Sequence, residues 1–481
     1  MNQGRPAAMP PAVPTPVLAD DPGSAFSTMR SAQLREPLAD WPVRARRLRA
    51  LDALIRDNRA AIASAIAADF GRRPAQETDL LEVFPSLSGI HHALKHGRNW
   101  MRSRRRRTGL WFLPARCEVR ALPLGVVGII APWNYPLLLS ASPLTDALVA
   151  GNRALIKVSE LTPRFAALFA ELVRKHFAAD EVAVVNGGVD VARAFAALPF
   201  DHLLFTGSTA IGHEVMRAAA ANLTPVTLEL GGKSPALIGP EARFAHAVER
   251  IVFGKLLNAG QTCIAPDYVL LQRAHVADFV DAARAVVARF YPALASNPQY
   301  ASIASDRQYA RLARLRDDAI AAGATAHVLA GTDPGVRVLA PTLLSSVDEH
   351  MAVMQQEIFG PLLPLVPYDT LDDALAYIQA HPHPLALSVF EENRATIDHV
   401  LARVSAGGVT VNDTILHIAQ HDLPFGGIGA SGMGAYHGED GFRTFSRMTP
   451  IFRQARWNFV GLLNPPYRET FRHMLKLLLW R

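Results

Sequence analysis

The chain has 481 residues, of which half are hydrophobic and 19% are charged, and it carries a net charge of +6. This length predicts two or three domains, and the composition excludes an intrinsically disordered chain. The sequence has no apolar run long enough to span a membrane, and its two cysteines argue against a disulfide framework and favour a reducing cytoplasm. Residues 1–24 lack the features of a secretory signal and are expected to form a flexible tail.

Helices and strands alternate through the first half of the chain. An amphipathic helix is predicted from Pro42, because Leu48, Leu51 and Ile55 recur at helical spacing, and a second helix is predicted over 78–101. The predicted strands are 117–121, 125–130, 154–157, 182–185, 202–206 and 225–230, and the helices among them are 137–150, 162–177 and 211–221. This alternation predicts an α/β fold with a doubly wound parallel sheet, which binds ligands at the carboxyl ends of its strands.

A second α/β series is predicted from about residue 234 to about Phe442. It includes Cys263, which is expected at the end of a helix that starts near Phe244. The α/β rhythm is lost after residue 448, and the last stretch, 471–481, is amphipathic and basic. Such a segment can lie on a membrane surface, although burial against its own domain or a neighbouring subunit is the more common role of an amphipathic face.

Five arginines lie close together in the sequence. A basic run can bind nucleic acid or an anionic membrane, but a solvated surface segment is the more common case, and no nucleic-acid motif accompanies this run. We therefore expect no nucleic-acid partner. The arginines are Arg102, Arg104, Arg105, Arg106 and Arg107.

Cys263 and Glu229 are the strongest candidates for chemistry. Cys263 ends the segment Asn-Ala-Gly-Gln-Thr-Cys, and Glu229 lies in Leu-Glu-Leu-Gly-Gly-Lys. A thiol attacks a carbonyl carbon well, since its thiolate is reachable near neutral pH, and a carboxylate can activate the water that releases a thioester. Asn134, just after the first strand of the predicted sheet, offers a side-chain amide for an oxyanion, with a structural turn as the alternative.

Two strand ends of the first sheet suit a dinucleotide. The turn at 206–212 follows a strand and opens a helix, where backbone N–H groups and the helix dipole favour a pyrophosphate. Its spacing is not G-x-G-x-x-G, so an ordinary tight turn is the alternative. Lys157 and Glu160 follow another strand and could hold ribose hydroxyls, or form a surface charge pair. The candidates in the turn are Gly207, Ser208, Thr209 and Gly212.

Further candidates lie in the second α/β series. Glu357 could reach a ribose and Phe359 could stack on a nicotinamide, although a turn with a core Phe fits the same residues. His417, His421 and His437 do not have the spacing of a metal site, so no metal is expected, and they lie either at the substrate mouth or on the surface. A nucleophilic cysteine, a carboxylate base and a dinucleotide site together predict oxidation of an aldehyde through a covalent thiol adduct.

Taken together, these motifs resemble the NAD(P)-dependent aldehyde dehydrogenase superfamily, from about Pro42 to Phe445. The most specific segments are 228–234 and 253–263. The chain looks most like the class 3 branch, and within it like bacterial members that act on coniferaldehyde. The segments that carry this finer likeness are 200–202 (Phe-Asp-His), 223–227 (Leu-Thr-Pro-Val-Thr), 265–268 (Ala-Pro-Asp-Tyr), 436–438 (Tyr-His-Gly), 412–417 (Asn-Asp-Thr-Ile-Leu-His) and 420–424 (Gln-His-Asp-Leu-Pro).

The resemblance implies a role for each candidate. Cys263 would be the nucleophile, Glu229 the base, and the Asn134 amide with the Cys263 backbone N–H the oxyanion site. Trp133, Lys157, Glu160, Gly207, Ser208, Thr209, Gly212, Glu357 and Phe359 would bind the cofactor, and Tyr135, His417 and Phe425 would line the substrate pocket. Glu160 would repel a 2′-phosphate and so favours NAD, although class 3 members often accept NADP too. Val158 stands where the family usually has Pro, which would stiffen the turn that holds Lys157 and Glu160.

The resemblance also implies an organisation in three parts. Residues 25–107 and 125–230 would form the NAD(P)-binding domain, and 231–441 the catalytic domain. Residues 108–124 and 442–481 would form a small β bridging or oligomerisation element with the C-terminal tail. Class 3 members resemble dimers more than tetramers, so a cytoplasmic homodimer is expected.

Several other functions fit part of the sequence. A medium- or long-chain aliphatic aldehyde would suit the amphipathic C-terminus, because such substrates partition into membranes. A CoA-acylating enzyme is disfavoured by Glu229, which points to hydrolysis. A nucleic-acid or membrane binding protein would use the arginine run at 102–107, and an inactive relative is disfavoured because Cys263, Glu229, Asn134 and Lys157 are all present.

Overall fold

The computed structural model describes residues 21–479, and most of the expected tail lies outside the described residues. Pro22 to Ser24, at the end of that tail, already belong to the first helix. The helices are α1 Pro22–Arg35, α2 Trp41–Asp57, α3 Arg59–Phe70, α4 Ala75–Thr78, α5 Phe84–Trp100, α6 Leu138–Ala150, α7 Pro163–His176, α8 Val189–Ala196, α9 Thr209–Ala220, α10 Phe244–Leu256, α11 Val276–Phe290, α12 Asp306–Ala321, α13 Ala352–Gln355, α14 Leu371–Gln379, α15 Arg394–Arg403, α16 Gly438–Thr444 and α17 Glu469–Leu479.

The strands form three sheets. They are β1 Arg104–Arg106, β2 Arg116–Pro123, β3 Val126–Ile130, β4 Arg153–Lys157, β5 Val182–Val185, β6 His202–Thr206, β7 Val226–Glu229, β8 Pro235–Ile238, β9 Tyr268–Gln272, β10 Thr325–Val328, β11 Thr342–Ser345, β12 Leu362–Tyr368, β13 Ala386–Phe390, β14 Gly408–Val411, β15 Gly432–Met433 and β16 Ser446–Arg453.

The first sheet has the order β15-β7-β6-β3-β4-β5, and its five longer strands are parallel. Residues of β3, β4 and β6 are buried throughout, as expected of a parallel sheet with helices on both faces. Hydrophobic cores lie on both faces, one formed with α2, α3, α5, α6 and α7 and the other with α1, α8 and α9. The predicted doubly wound sheet is confirmed.

The second sheet has the order β10-β11-β12-β9-β8-β13-β14, parallel except for β10. The third sheet is antiparallel, β1-β2-β16, and β2 pairs with β16 along eight residues. It corresponds to the small bridging element, but β1 precedes the expected start of that element at residue 108. A second strand also crosses an expected boundary. Strand β15 belongs to the expected catalytic domain, 231–441, but pairs with β7 of the first sheet, with Gly432 opposite Glu229.

Cys263 does not lie at the end of a helix. Helix α10 ends at Leu256, a 3₁₀ turn follows over Leu257–Gly260, and Cys263 lies in the loop that leads into β9. The helical periodicity of α10 stops where the backbone turns left-handed, so apolar spacing alone could not place the thiol.

Candidate active site

The first sheet gathers most of the predicted residues at one edge. Neighbouring strands run in the order β4, β3, β6 and β7, and parallel strands present their carboxyl ends at the same edge. Lys157 ends β4, Asn134 follows β3, Gly207 follows β6, and Glu229 ends β7. The cofactor and catalytic candidates therefore lie side by side although 95 positions of sequence separate Asn134 from Glu229.

The loop that carries Cys263 is built from a rare backbone geometry. Asn258, Ala259 and Gly260 have φ values of +52°, +51° and +77°, all in the left-handed region. Gly260 fits there because a Cβ atom on it would lie 2.4 Å from the carbonyl oxygen of Gly360. Gln261 secures the loop from inside, since its side-chain amide donates to the carbonyls of Asn258 and Ser302 at 2.8 and 3.1 Å.

Cys263 and Glu229 both line one pocket. Glu229 is buried, and its two carboxylate oxygens have no hydrogen-bond partner among the described residues. Burial raises the pKa of the Glu229 carboxyl well above its ordinary value. Burial also raises the pKa of the Cys263 thiol to about 12, helped by the negative charges of Glu357 and Glu229. This arrangement disfavours ionisation of the thiol, so a base that accepts its proton would assist the attack.

Asn134 lies against the nucleophile loop. Its side-chain nitrogen donates to the carbonyl of Gln261 at 3.2 Å, and its own backbone carbonyl accepts from the Asn258 amide at 3.1 Å. The neighbouring Tyr135 hydroxyl lies 2.5 Å from the hydroxyl of Thr262. Two hydrogen-bonded bridges thus join the turn after β3 to the residues just before Cys263, and one N–H of the Asn134 amide is left for another acceptor.

The pocket is apolar and measures about 570 Å³ including its open mouth. Tyr135 and Phe425 line it, as predicted, whereas His417 lies behind Phe425, with the two rings stacked 5.9 Å apart. Most of the wall was not predicted, because single leucines and isoleucines in a sequence carry no signal of which cavity they face. These further residues are Leu81, Leu138, Leu139, Thr206, Leu230, Thr262, Ile264, Leu385, Ile415 and Ile418.

The pKa values of the three late histidines are all lowered. Burial lowers the pKa of His417 to about 4 and that of His437 to about 3, and it also lowers the pKa of His421. Within residues 21–479, no group of three or more His, Cys, Asp or Glu side chains is arranged to hold a metal ion.

The pyrophosphate candidates lie at the start of α9. Ser208 precedes the first turn without capping it, and the Thr209 hydroxyl donates to the carbonyl of Ala430 at 3.1 Å. Gly207 and Gly212 are required by close contacts, because Cβ atoms there would lie 2.5 Å from the Phe205 ring and 2.7 Å from Leu230. The turn therefore presents backbone N–H groups at a helix N-terminus, which suits a phosphate.

Lys157 is buried whereas Glu160 is half exposed. The ammonium donates to the carbonyl of Val158 at 2.7 Å and lies 3.5 Å from the Glu160 carboxylate. Burial lowers the pKa of Lys157, opposed by the charge of Glu160. A buried ammonium 3.5 Å from a half-exposed carboxylate differs from an ordinary surface pair, and both groups remain suited to ribose hydroxyls.

Glu357 and Phe359 lie in the loop between α13 and β12. The Glu357 carboxylate rests on the backbone of Gly231, where a Cβ atom would approach it to 2.0 Å. Burial raises the pKa of Glu357 to about 8, and its Oε1 has no partner among the described residues. Phe359 packs edge-on against Trp133 at 5.4 Å. A buried carboxylate with an open oxygen next to two aromatic rings fits a nucleoside better than a plain turn.

The remaining candidates lie away from this pocket. Arg104 pairs with Glu439, and the other arginines of the 102–107 run are exposed on the third sheet and its flanks. Helix α17 buries none of its side chains against the rest of the described chain. Within residues 21–479, every helix is too short or too polar to cross a bilayer.

Comparison with known proteins agrees with this geometry. The model of the aldehyde dehydrogenase family matches residues 18–451. A probable coniferyl aldehyde dehydrogenase of Pseudomonas aeruginosa is 51% identical over 95% of this chain and 96% of its own length. Aldehyde dehydrogenase family 3 member A2 of Mus musculus is 41% identical over 93% of this chain and 90% of its own length. A substrate-bound structure of Staphylococcus aureus AldH aligns with a TM-score of 0.90 and 36% identity, over 95% of this chain and 99% of that chain.

These matches agree with the motifs around Glu229 and Cys263 and with the two α/β units. They also confirm the class 3 likeness that the sequence predicts, since a family 3 member is among the relatives. The chain belongs to the aldehyde dehydrogenase family, whose members depend on NAD(P) and oxidise aldehydes, and it resembles the class 3 branch of that family.

Proposed function

We propose that this protein oxidises an aromatic aldehyde such as coniferaldehyde to the carboxylic acid, with NAD as the acceptor. The observation that carries the chemistry is the pairing of the Cys263 thiol with an unpartnered, buried Glu229 carboxylate in one apolar pocket. The aromatic substrate is supported by Tyr135 and Phe425 in the wall and by the name of the Pseudomonas aeruginosa relative.

Glu229 serves first to receive the thiol proton. Its raised pKa makes the carboxylate a stronger base than an ordinary glutamate, and the Cys263 thiol is too weak an acid to ionise alone at neutral pH. The sulfur then forms a bond to the aldehyde carbon, and the carbonyl π electrons move to the oxygen. The Asn134 amide and the Cys263 backbone N–H hold this oxyanion of the thiohemiacetal.

NAD held by the residues named below would supply the acceptor for the hydride that the thiohemiacetal carbon loses, and Cys263 would then carry the acyl group as a thioester. Glu229 would first pass the thiol proton to solvent and then remove a proton from water. The resulting hydroxide would attack the thioester carbon, and sulfur would leave as a thiolate that takes the proton back from Glu229 while the carboxylic acid departs. The apolar wall limits the entry of other water.

The cofactor residues present fit a dinucleotide. Gly207, Ser208, Thr209 and Gly212 at the start of α9 would hold the pyrophosphate, and Lys157 with Glu160 would hold a ribose. Glu357 has an open carboxylate oxygen for the other ribose, with Phe359 and Trp133 beside it. Glu160 favours NAD over NADP because its negative charge opposes a 2′-phosphate.

A medium- or long-chain aliphatic aldehyde is the second candidate substrate. The pocket wall supports it, since leucines and isoleucines outnumber aromatic side chains. The apolar and basic C-terminal segment also supports it: Trp457 and Phe459 are 83% and 75% exposed, and α17 is unpartnered and amphipathic. Peripheral contact with an anionic membrane through this segment would bring the enzyme to substrates that partition there.

We further propose a cytoplasmic homodimer in which 25–107 and 125–230 bind the cofactor and 231–441 supplies the nucleophile. The bridging element, 108–124 and 442–481, would make the subunit contact. Two unbridged cysteines support a reducing compartment, and the exposed apolar side chains of the third sheet and C-terminal segment support a subunit contact.

The test is NAD(P)H formation by the purified protein with coniferaldehyde, benzaldehyde and a medium-chain aliphatic aldehyde, each with NAD and with NADP. A higher kcat/KM for coniferaldehyde with NAD would support the proposal. A higher value for the aliphatic aldehyde would favour the second candidate, and a lack of activity with reduced Cys263 would contradict both.

A further inference from the structure

A buried group of three charged side chains lies beneath two segments of the site. One is the turn with Asn134 and Tyr135, and the other is the 258–263 loop, called the nucleophile loop, which ends at Cys263. The three residues are Arg73, Glu77 and Glu82, and they lie in the segment between α3 and α5. None of them lines the pocket. The side chains of Arg73 and Glu82 are wholly inaccessible, with 2.9 Å between Nη1 and Oε1. Buried charges are costly unless they are paired, so this cluster calls for an explanation.

Glu82 caps a helix that it does not belong to. Its Oε2 accepts hydrogen bonds from the backbone N–H groups of Leu137 and Leu138 at 2.8 and 3.2 Å, at the start of α6. Helix α6 has no side-chain cap of its own. The turn with Asn134 and Tyr135 immediately precedes these amides, so Glu82 fixes where that turn ends.

Glu77 holds the nucleophile loop in the same way. Its Oε1 accepts from the backbone N–H of Asn258 at 2.8 Å, which is the first of the three left-handed residues before Cys263. Arg73 links the two sides, because its Nη1 donates to the carbonyl of Asn134 at 3.2 Å and its guanidinium lies 5.1 Å from the centre of the Tyr135 ring. One cluster thus contacts Asn134 and the start of the loop that leads to Cys263.

The local helix geometry places the two carboxylates together. Residues Asp79–Val83 form a π-helical turn between α4 and α5. Its wider turn brings residues five apart closer to one side than an α-helix would, and such insertions are frequent at functional sites. The segment therefore keeps a less common backbone form in which Glu82 pairs with Arg73 and Glu77 lies within reach of the charge of Arg73.

We propose that Arg73, Glu77 and Glu82 are positioning residues that hold the Asn134 amide and the 258–263 loop in register for the oxyanion. The inference rests on the proposed roles of Asn134 and Cys263. None of the three side chains touches the pocket, so they act through the two loops. A displacement near 1 Å at reacting groups can lower the rate by about 100-fold, so residues that hold the two loops in place can affect kcat without touching the substrate.

Two conservative substitutions at Glu77 distinguish the effect of where its acceptor oxygen lies from the effect of its negative charge. Glu77→Gln keeps an acceptor oxygen at the same reach and removes the charge. Glu77→Asp keeps the charge but withdraws the acceptor by one methylene. We expect Glu77→Asp to lower kcat by about tenfold with an unchanged KM for the aldehyde, whereas Glu77→Gln stays within about threefold of the wild type. Asp79→Asn is the matched control, because Asp79 binds Arg59 at the surface and contacts neither loop.

Alkylation of Cys263 by iodoacetamide, followed by peptide mass, gives a second readout that needs no turnover. We expect Glu77→Asp to change the alkylation rate at Cys263 by more than threefold, while Glu77→Gln and Asp79→Asn leave it unchanged. Equal rates in all variants, or a larger kcat loss in Glu77→Gln than in Glu77→Asp, would overturn the proposal. If the wild type oxidises no aldehyde, the proposed function fails, while the alkylation comparison still decides whether Glu77 positions the loop.

Discussion

Cys263 and Glu229 line the same apolar pocket, and each is a weaker acid there than the same side chain in water. Burial raises the pKa of each group, and the carboxylate makes ionisation of the neighbouring thiol harder still. The same burial makes Glu229 a better base once it is ionised. Burial therefore disfavours ionisation of both groups, and in the proposed mechanism Glu229 accepts the proton that Cys263 gives up.

The pH dependence of kcat follows from Glu229. The step that releases the acid needs the ionised carboxylate, and its pKa lies well above that of an ordinary glutamate. We therefore expect kcat to fall as the pH is lowered, with a midpoint above the ordinary value of about 4.3. A pH–rate profile measures this. Glu229→Gln should lower kcat and lack this acidic limb, and a variant that keeps both the rate and the limb would remove Glu229 from its role.

Stability should show the opposite trend at the same residue. The folded-state pKa of Glu229 is raised, so the native protein binds this proton more tightly than the unfolded chain does. The contribution to stability is fully present below the unfolded pKa and is lost as the pH rises through the folded pKa. A glutamine does not titrate, so Glu229→Gln keeps its stability as the pH rises while the wild type loses this contribution. The Tm of the variant should therefore exceed that of the wild type by a margin that grows with pH. A constant difference between pH 5 and pH 8 would contradict this.

At the scale of elements, the site depends on loops that the sheets hold in place. The nucleophile loop between α10 and β9 has three left-handed residues in succession and is fixed by Gln261 from within and Glu77 from below. Such strained backbone persists only where its surroundings determine it, and it is common at active sites.

Gly260→Ala tests the loop as an element. The new Cβ atom would meet a backbone carbonyl at 2.4 Å in addition to the positive φ, so the loop must shift. We expect a large loss of kcat/KM, on the order of 100-fold, and a lower Tm. Gly323→Ala is the control, since Gly323 has a φ of +105° but its Cβ would meet nothing within 4 Å. Equal effects in both variants would show that backbone strain alone, and not the contact with Gly360, matters.

At the scale of the whole molecule, the sequence predicts the first sheet well because its buried strands and glycine turns have strong local signals, whereas most strands of the second sheet, and β16 of the third, are not placed individually. It could not reveal that Arg73, Glu77 and Glu82 lie beneath the site, since that depends on how a distant helical segment packs. It also could not show that burial raises the pKa of Cys263, because burial is a property of the packed protein. Short α8 was missed because its eight residues follow two glycines and resemble a loop.

The third sheet, the arginine run before it and the C-terminal segment concentrate the positive charge of the chain. Residues 102–124 and 446–479 contain thirteen arginines and lysines and two glutamates, so their net charge exceeds the +6 of the whole chain. If two chains associate through this surface, the positive charges of one chain repel those of the other, and added salt should screen that repulsion. We expect light scattering to give twice the 52.2 kDa of one chain, more completely as salt is raised. A monomer at all salt concentrations would contradict the proposed dimer.

The most direct test of the whole account is the mass of Cys263 after Glu229→Gln protein reacts with coniferaldehyde and NAD. If Cys263 is the nucleophile and Glu229 drives hydrolysis, the variant should acylate slowly, because the thiol has lost its base, form about one NADH per active site over a long incubation, and then stall. The peptide that contains Cys263 should carry the acyl group of the acid as a thioester. Wild-type turnover without an adduct, or an adduct on Cys117 instead, would contradict the account.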